Sequence, residues 1–238
     1  MLLCPMPRSQ LLNLLPKGGE VAEIGVADGD FSQCILDAAA PKCLHLIDPW
    51  EHQDRADYAR DANNVSESRQ EERFNAVMAR FRQQIDRGAV RVHRDYSEDA
   101  AIFFADGQLD WVYIDGMHTQ DAAYQDLVTY RPKVKRDGYI VGHDYTNYVQ
   151  AQQWNFGVVE AVNRFVLETG YELVALTLEN FPTYVIAKDR DSAATRELQR
   201  ELILNAPYVV EIRDYPGARR FEHKSVRLGE GLVTYPSF

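Results

Sequence analysis

Five short apolar runs constrain this chain most: Val21–Ile24, Cys43–Ile47, Gly88–His93, Leu109–Ile114 and Tyr139–Val141. Each is too short for a helix and mostly apolar at both odd and even positions, the pattern of a strand buried on both faces. Helix-like stretches separate them, the first being Phe31–Ala40. Short buried strands alternating with helices make βαβ units and a parallel sheet covered on both sides. Self-similarity at a period of 20–50 residues is absent from the sequence, which removes solenoids and propellers.

The pattern changes after the fifth run. Asn155–Thr169 carries Val158, Val159, Val162, Phe165 and Val166 at helical spacing. Two β-rich segments follow, Tyr171–Leu178 and Thr183–Lys188, separated by a hairpin-length Glu179–Pro182. An antiparallel pair is predicted there. The expected fold is therefore α/β, a Rossmann-like doubly wound, mostly parallel sheet with a terminal antiparallel strand pair. Residues 1–188 form the predicted main domain. Within it, 51–87 is a polar insert: Glu51–Ser68 is a lid over a ligand or a solvated loop, and Gln70–Asp86 is a surface helix. Residues 189–238 are a C-terminal extension holding one helix (Ala193–Asn205) and short strands at Tyr208–Arg213 and Lys224–Leu228.

With 45% hydrophobic residues over 238 positions, the chain can bury a substantial core. Its net charge of −10 opposes broad binding to nucleic acid or an anionic membrane. No apolar run approaches the roughly 20 residues that span a bilayer. The start, Met1–Pro16, is apolar in part but is interrupted by Arg8, Gln10 and Asn13, and it lacks the parts of a signal peptide. Cys4, Cys34 and Cys43 form no CxxC pair and are odd in number, so neither a disulfide framework nor a zinc site is expected. A cytoplasmic protein with a small-molecule partner is the expectation, and the unassigned tail is the segment that could mediate a homodimer.

Ligands of open α/β sheets sit beyond the carboxyl ends of the strands. After the first run stands Glu23-Ile24-Gly25-Val26-Ala27-Asp28-Gly29. Its E-x-G-x-x-x-G spacing differs from the G-x-G-x-x-G dinucleotide fingerprint. No Tyr-x-x-x-Lys pair stands out either, which opposes a nicotinamide-dependent enzyme. Gly25 and Gly29 permit a tight turn and a close approach of backbone to ligand, or serve the turn alone. Asp48 ends the second run about twenty residues past this loop, where a carboxylate can accept from both hydroxyls of a ribose. After the third run, Asp95 and Ser97 are the polar groups placed to meet an adenine edge.

Asp115 and Asp144 end the fourth and fifth runs. Two converging carboxylates repel unless a cation or proton lies between them, and a hard divalent ion such as Mg²⁺ would resolve that repulsion. The structural alternative is that Asp144 caps the next helix. His118 follows Asp115 by three residues and can accept a proton near neutral pH. His143, beside Asp144, is a ligand or an orienter of one.

The runs VAEIGVADGDFS, LHLIDPW, LDWVYIDGMH and GYIVGHDY resemble class I S-adenosylmethionine-dependent methyltransferases. More narrowly they resemble the metal-dependent macrolide and aminocoumarin sugar O-methyltransferases, over Gly19 to Lys188. The resemblance implies that Glu23, Gly25 and Gly29 cradle the methionine part of the cofactor, that Asp48 binds its ribose, and that Asp95–Ser97 meet its adenine. It implies metal ligation by Asp115 and Asp144, and His118 as base at the Asp-x-x-His spacing. The chain departs from the pattern at His143, where relatives often carry a further acid. Imidazole suits Mn²⁺, Fe²⁺ or Zn²⁺ better than Mg²⁺. It departs also at Met117, where other relatives place an acid. The implied activity is O-methylation of a small-molecule hydroxyl on a sugar, polyketide or phenol. Methylation of protein or RNA, or nucleotide binding without methyl transfer, are the alternatives.

Overall fold

The computed structural model describes residues 1–59, 61–229 and 231–238; Arg60, within the predicted lid, and Glu230 lie outside the described residues. The elements run β1 (Leu2–Cys4), α1 (Arg8–Leu12), β2 (Glu20–Ile24), α2 (Asp30–Ala39), β3 (Cys43–Ile47), α3 (Glu67–Arg80), α4 (Arg82–Asp86), β4 (Val90–His93) and α5 (Ser97–Ala100). Then come β5 (Leu109–Ile114), α6 (Gln120–Tyr130), β6 (Val134–Gly142), α7 (Val149–Gln153), α8 (Val158–Thr169), β7 (Glu172–Thr177) and β8 (Tyr184–Ala187). The chain closes with α9 (Ala193–Asn205), β9 (Val210–Glu211), β10 (Glu222–Leu228) and β11 (Gly231–Ser237).

Nine strands form one sheet in the order β4-β3-β2-β5-β6-β8-β7-β1-β9. Strands β2 to β6 are mutually parallel, and the order reverses between β2 and β5, so a crevice opens above their carboxyl ends. Strand β8 runs antiparallel to both β6 and β7, the late antiparallel pair that the hairpin-length gap predicts. The sheet then continues through β1, parallel to β7, and β9, antiparallel to β1. The apolar residues of the N-terminal segment are thus strand and core: Leu2, Leu3, Leu11 and Leu12 are all buried. Strands β10 and β11 pair separately as an antiparallel hairpin.

Continuous apolar runs arise because each strand feeds two cores. In β5, Val112 and Ile114 point to one face, where Leu127 of α6 and Phe165 of α8 cover them. Trp111 and Tyr113 point to the other, in the layer of Ile35 of α2, Val77 of α3 and Leu198 of α9. Fully burying one such side chain stabilises by roughly 1.5–3 kcal/mol, and the polar residues buried within the runs, Glu23 and His45, are hydrogen-bonded. Among the described residues, no helix is long and apolar enough to cross a membrane.

Candidate functional site

The glycine loop between β2 and α2 is built around two constraints. Gly25 adopts φ +84°, and a Cβ there would lie 2.1 Å from the Asp115 carbonyl oxygen. Only glycine fits where the two loops pass so closely. The loop is then tied to β3. Asp48 Oδ2 accepts from the amides of Val26 (2.9 Å) and Ala27 (3.0 Å), and its Oδ1 accepts from that of Trp50 (2.7 Å). The indole of Trp50 in turn donates to the Ala27 carbonyl at 2.9 Å. Three of the roughly four acceptor positions of Asp48 are spent on holding the loop, leaving one facing the crevice.

Beside this loop lies a cavity of about 340 Å³. Of the residues singled out in the sequence, Glu23, Gly25, Asp48, Asp95, Ser97 and Asp115 all line it. Gly29 does not reach the wall. It caps α2 in a left-handed conformation, and its Cβ position faces Phe81 and Val77 of the core. Glu23 is 1% exposed, accepts from the Ser32 hydroxyl, and burial pushes its carboxyl up to about 8. Ser97 does not present its hydroxyl freely; it donates to Asp126, whose carboxyl burial pushes up to about 7. The polar stretch after β3 lies over the cavity and contributes Glu51, Gln53, Arg55 and Tyr58 to its wall.

A second cluster adjoins the cavity through Asp115. His118 stands between two carboxylates: its Nδ1 is 3.0 Å from Asp61 Oδ2, and its Nε2 is 2.8 Å from Asp144 Oδ2. Asp115 Oδ1 lies 3.9 Å from the same Nε2. His143 Nδ1 is 3.6 Å from Asp115 Oδ1 and 3.3 Å from Asp144 Oδ1. The carboxylates do converge, and the Asp144 side chain faces histidines rather than a helix start. Burial alone would lower both histidines, but the neighbouring carboxylates prevail. Asp144, Asp115 and Asp61 hold His118 well above the ordinary imidazole range, and Asp115 and Asp144 raise His143 to about 9. Burial would likewise raise Asp115, yet His118, His143 and Arg8 keep it well below the usual carboxylate range.

Among the described residues, Asp115, His118 and Asp144 present one ligand atom each within 4.8 Å of one another, close enough to share an ion. Two carboxylate oxygens with imidazole nitrogen form a mixed donor set that suits Mn²⁺, Fe²⁺ or Zn²⁺ over Mg²⁺. The residues present therefore fit a divalent metal, with Asp115 and Asp144 as its oxygen ligands.

Two members of this site were not foreseen. Asp61 comes from the polar stretch, and Arg8 comes from the N-terminal segment, where Nη1 donates to Asp115 Oδ2 at 2.9 Å. Neither carries a local signal in the sequence, since each acts far from its own neighbours.

Residues 22–145, just over half of the chain, match a family described as a methyltransferase domain. Solved structures sharing the fold include a protein from Corynebacterium glutamicum, 17% identical with TM-score 0.52, over 80% of this chain and 85% of that one. The N-methyltransferase NodS from Bradyrhizobium japonicum is 12% identical with TM-score 0.55, over 76% of this chain and 94% of that one. Fibrillarin from Aeropyrum pernix, in complex with natively bound S-adenosyl-L-methionine, is 12% identical with TM-score 0.52, over 76% and 73% of the two chains. No curated protein matches the sequence.

Proposed function

The chain belongs to the methyltransferase-domain family, as a class I S-adenosylmethionine-dependent methyltransferase, and from this premise we propose that it methylates a hydroxyl of a small molecule with the help of a divalent metal. The observation that carries this reading is the position of His118, between Asp61 and Asp144 and beside Asp115, which also lines the cavity. An imidazole among paired hard ligands at the mouth of a cofactor cavity suits deprotonation of a hydroxyl once a cation offsets the carboxylates. The Asp115-x-x-His118 spacing and the acid at Asp144 also support the resemblance to sugar and macrolide O-methyltransferases.

The cavity suits the cofactor. Gly25 lets the loop pack against the Asp115 backbone at the cavity wall, and Asp48 keeps an acceptor position for ribose hydroxyls. The acid-rich wall favours a sulfonium cation. Glu23 and Gly25 stand at the methionine end in this reading, and Asp95, Ser97 and Asp126 at the adenine end. Gly29 acts indirectly, by turning the loop into α2.

Asp115 and Asp144 would hold the metal with His143 beside them, and the bound ion would supply the positive charge that lowers the pKa of an acceptor hydroxyl. His118 is the base. Asp61 accepts from Nδ1, which fixes the ring and aims Nε2 at the Asp115 and Asp144 carboxylates. Holding the hydroxyl oxygen in line with the sulfonium methyl accounts for much of the rate gain.

The test is His118→Ala. Loss of a general base should cut turnover by about 10²–10⁴-fold while S-adenosylhomocysteine affinity stays within a factor of three. Unchanged turnover would remove His118 from this role, and full activity in excess chelator would remove the metal.

A further inference from the structure

Arg8 is a cation built into a mostly acidic wall. Among the described residues, the cavity is lined by nine acidic side chains and three arginines, Arg8, Arg55 and Arg73. Arg55 forks onto Asp57, with its Nη2 2.7 Å from Asp57 Oδ2. The Nε of Arg73 sits 3.3 Å from Asp28 Oδ2, and its Nη1 donates to the Asn63 carbonyl. Arg8 belongs to the other end. Its guanidinium lies 4.2 Å above the Phe31 ring, just past the glycine loop, and its Nη1 reaches both Asp115 Oδ2 and the Tyr113 hydroxyl.

The backbone around Arg8 is held firmly. Strand β1 is part of the sheet, and the amide of Leu178 donates to the Cys4 carbonyl at 2.8 Å. The Arg8 amide donates to Glu179 Oε2 at 3.2 Å, while the hydroxyls of Thr177 and Thr183 donate to Glu179 Oε1. Burial opposes the guanidinium charge, but Tyr113 and Asp115 raise its pKa above the ordinary arginine value. Among the described residues, the hydrogen bonds of the Arg8 side chain all run from Nη1. A guanidinium carries five N–H donors in a planar fork, so its second edge is available to an anion.

We infer that Arg8 is the binding site for the α-carboxylate of the cofactor's methionine moiety. This rests on the reading that the glycine loop holds the methionine end of S-adenosylmethionine. A carboxylate entering an acid-lined cavity needs a cation, and Arg8 is the one lining cation beside Gly25, Phe31 and Asp115 among the described residues. The planar, stacked guanidinium matches a carboxylate as a lysine ammonium would not. One side chain then touches the cofactor on one edge and the acceptor-side Asp115 on the other. The N-terminal segment thereby becomes part of the active site.

The experiment compares two ligands on three proteins by calorimetric titration. The ligands are S-adenosylhomocysteine and its decarboxylated analogue, which keeps the amine and lacks only the carboxylate. The proteins are wild type, Arg8→Ala and Arg8→Lys, each checked for folding by thermal unfolding. Arg8→Ala should weaken S-adenosylhomocysteine about 10- to 100-fold, the range of a lost charge-assisted hydrogen bond. It should leave the decarboxylated analogue within about threefold, and Arg8→Lys should fall between. Equal weakening of both ligands, or of neither, would overturn the assignment while leaving the cofactor reading standing. Failure of wild type to bind either ligand would overturn the cofactor reading and the assignment with it. Should Arg8→Ala not fold, the same ligand comparison on Arg8→Lys decides.

Discussion

Replacing Gly25 by alanine probes the contact that joins the cofactor loop to Asp115. Two costs add at this position. The left-handed backbone, φ +84°, costs an L-residue about 1–2 kcal/mol. The new Cβ would stand 2.1 Å from the Asp115 carbonyl oxygen and 2.8 Å from Gly116 Cα, both backbone atoms that no rotamer change can move. Forcing them apart is an overpacking cost of roughly 1–3 kcal/mol. The sum is about 2–5 kcal/mol, which at 2–4 °C per kcal/mol for a chain of this size lowers Tm by roughly 4–20 °C. Gly18→Ala separates the two costs, because Gly18 has φ +72° and nothing within 4 Å of its Cβ position. It should show only the backbone cost, about 1–2 kcal/mol. Differential scanning calorimetry of both variants, with S-adenosylhomocysteine titrations alongside, makes the comparison. Gly25→Ala should be the less stable and should bind the ligand at least tenfold more weakly, whereas Gly18→Ala should bind as wild type. Equal stability and equal affinity of the two would refute the close approach.

Three further outcomes follow from the same structure. Burial raises the Glu23 carboxyl from 4.5 to about 8, so the folded chain keeps a proton that the unfolded chain releases. Stability from this group is full below about pH 4.5 and lost as pH rises towards 8, with a slope of up to about 1.4 kcal/mol per pH unit. Glu23→Gln should flatten denaturant-measured stability over that interval, and a slope identical to wild type would contradict the burial of this carboxyl. Asp61→Asn should cut turnover about 10- to 100-fold with cofactor affinity intact, because the partner that orients His118 is altered; unchanged kinetics would make Asp61 a bystander. After chelation, Mn²⁺ should restore turnover at lower concentration than Mg²⁺, given imidazole among the ligands. Preference for Mg²⁺ in the metal titration would take His143 out of the coordination shell.

The central strands were legible because burial on both faces leaves little room for polar residues. Strands β3 and β5 begin and end at the residues where their apolar runs do. Strand β6 is longer than its run because it also takes in Val134 and a solvent-facing stretch, Lys135 to Asp137, where the register with β5 shifts, and exposed strand carries no apolar signature. Strand β1 has only three residues, and its meaning depends on β7, since Leu2 pairs with Ala175. Such a pairing leaves nothing to read locally. The acids at the strand ends could be read from position alone. Arg8 and Asp61 could not, because they reach their partners across 107 and 57 residues. Gly29 shows the converse: a loop glycine whose spacing resembles a binding motif can serve the turn and the core behind it.

A crystal grown with S-adenosylhomocysteine and soaked in Mn²⁺, with anomalous difference density collected at the manganese edge, would examine cofactor and metal together. The expected map has one strong peak beside Asp115 and Asp144, with the ligand's ribose on Asp48 and its carboxylate on Arg8. A peak at the other mixed cluster, Glu20 with Cys43 and His45, and none at Asp115, would contradict metal-assisted hydroxyl methylation at this site.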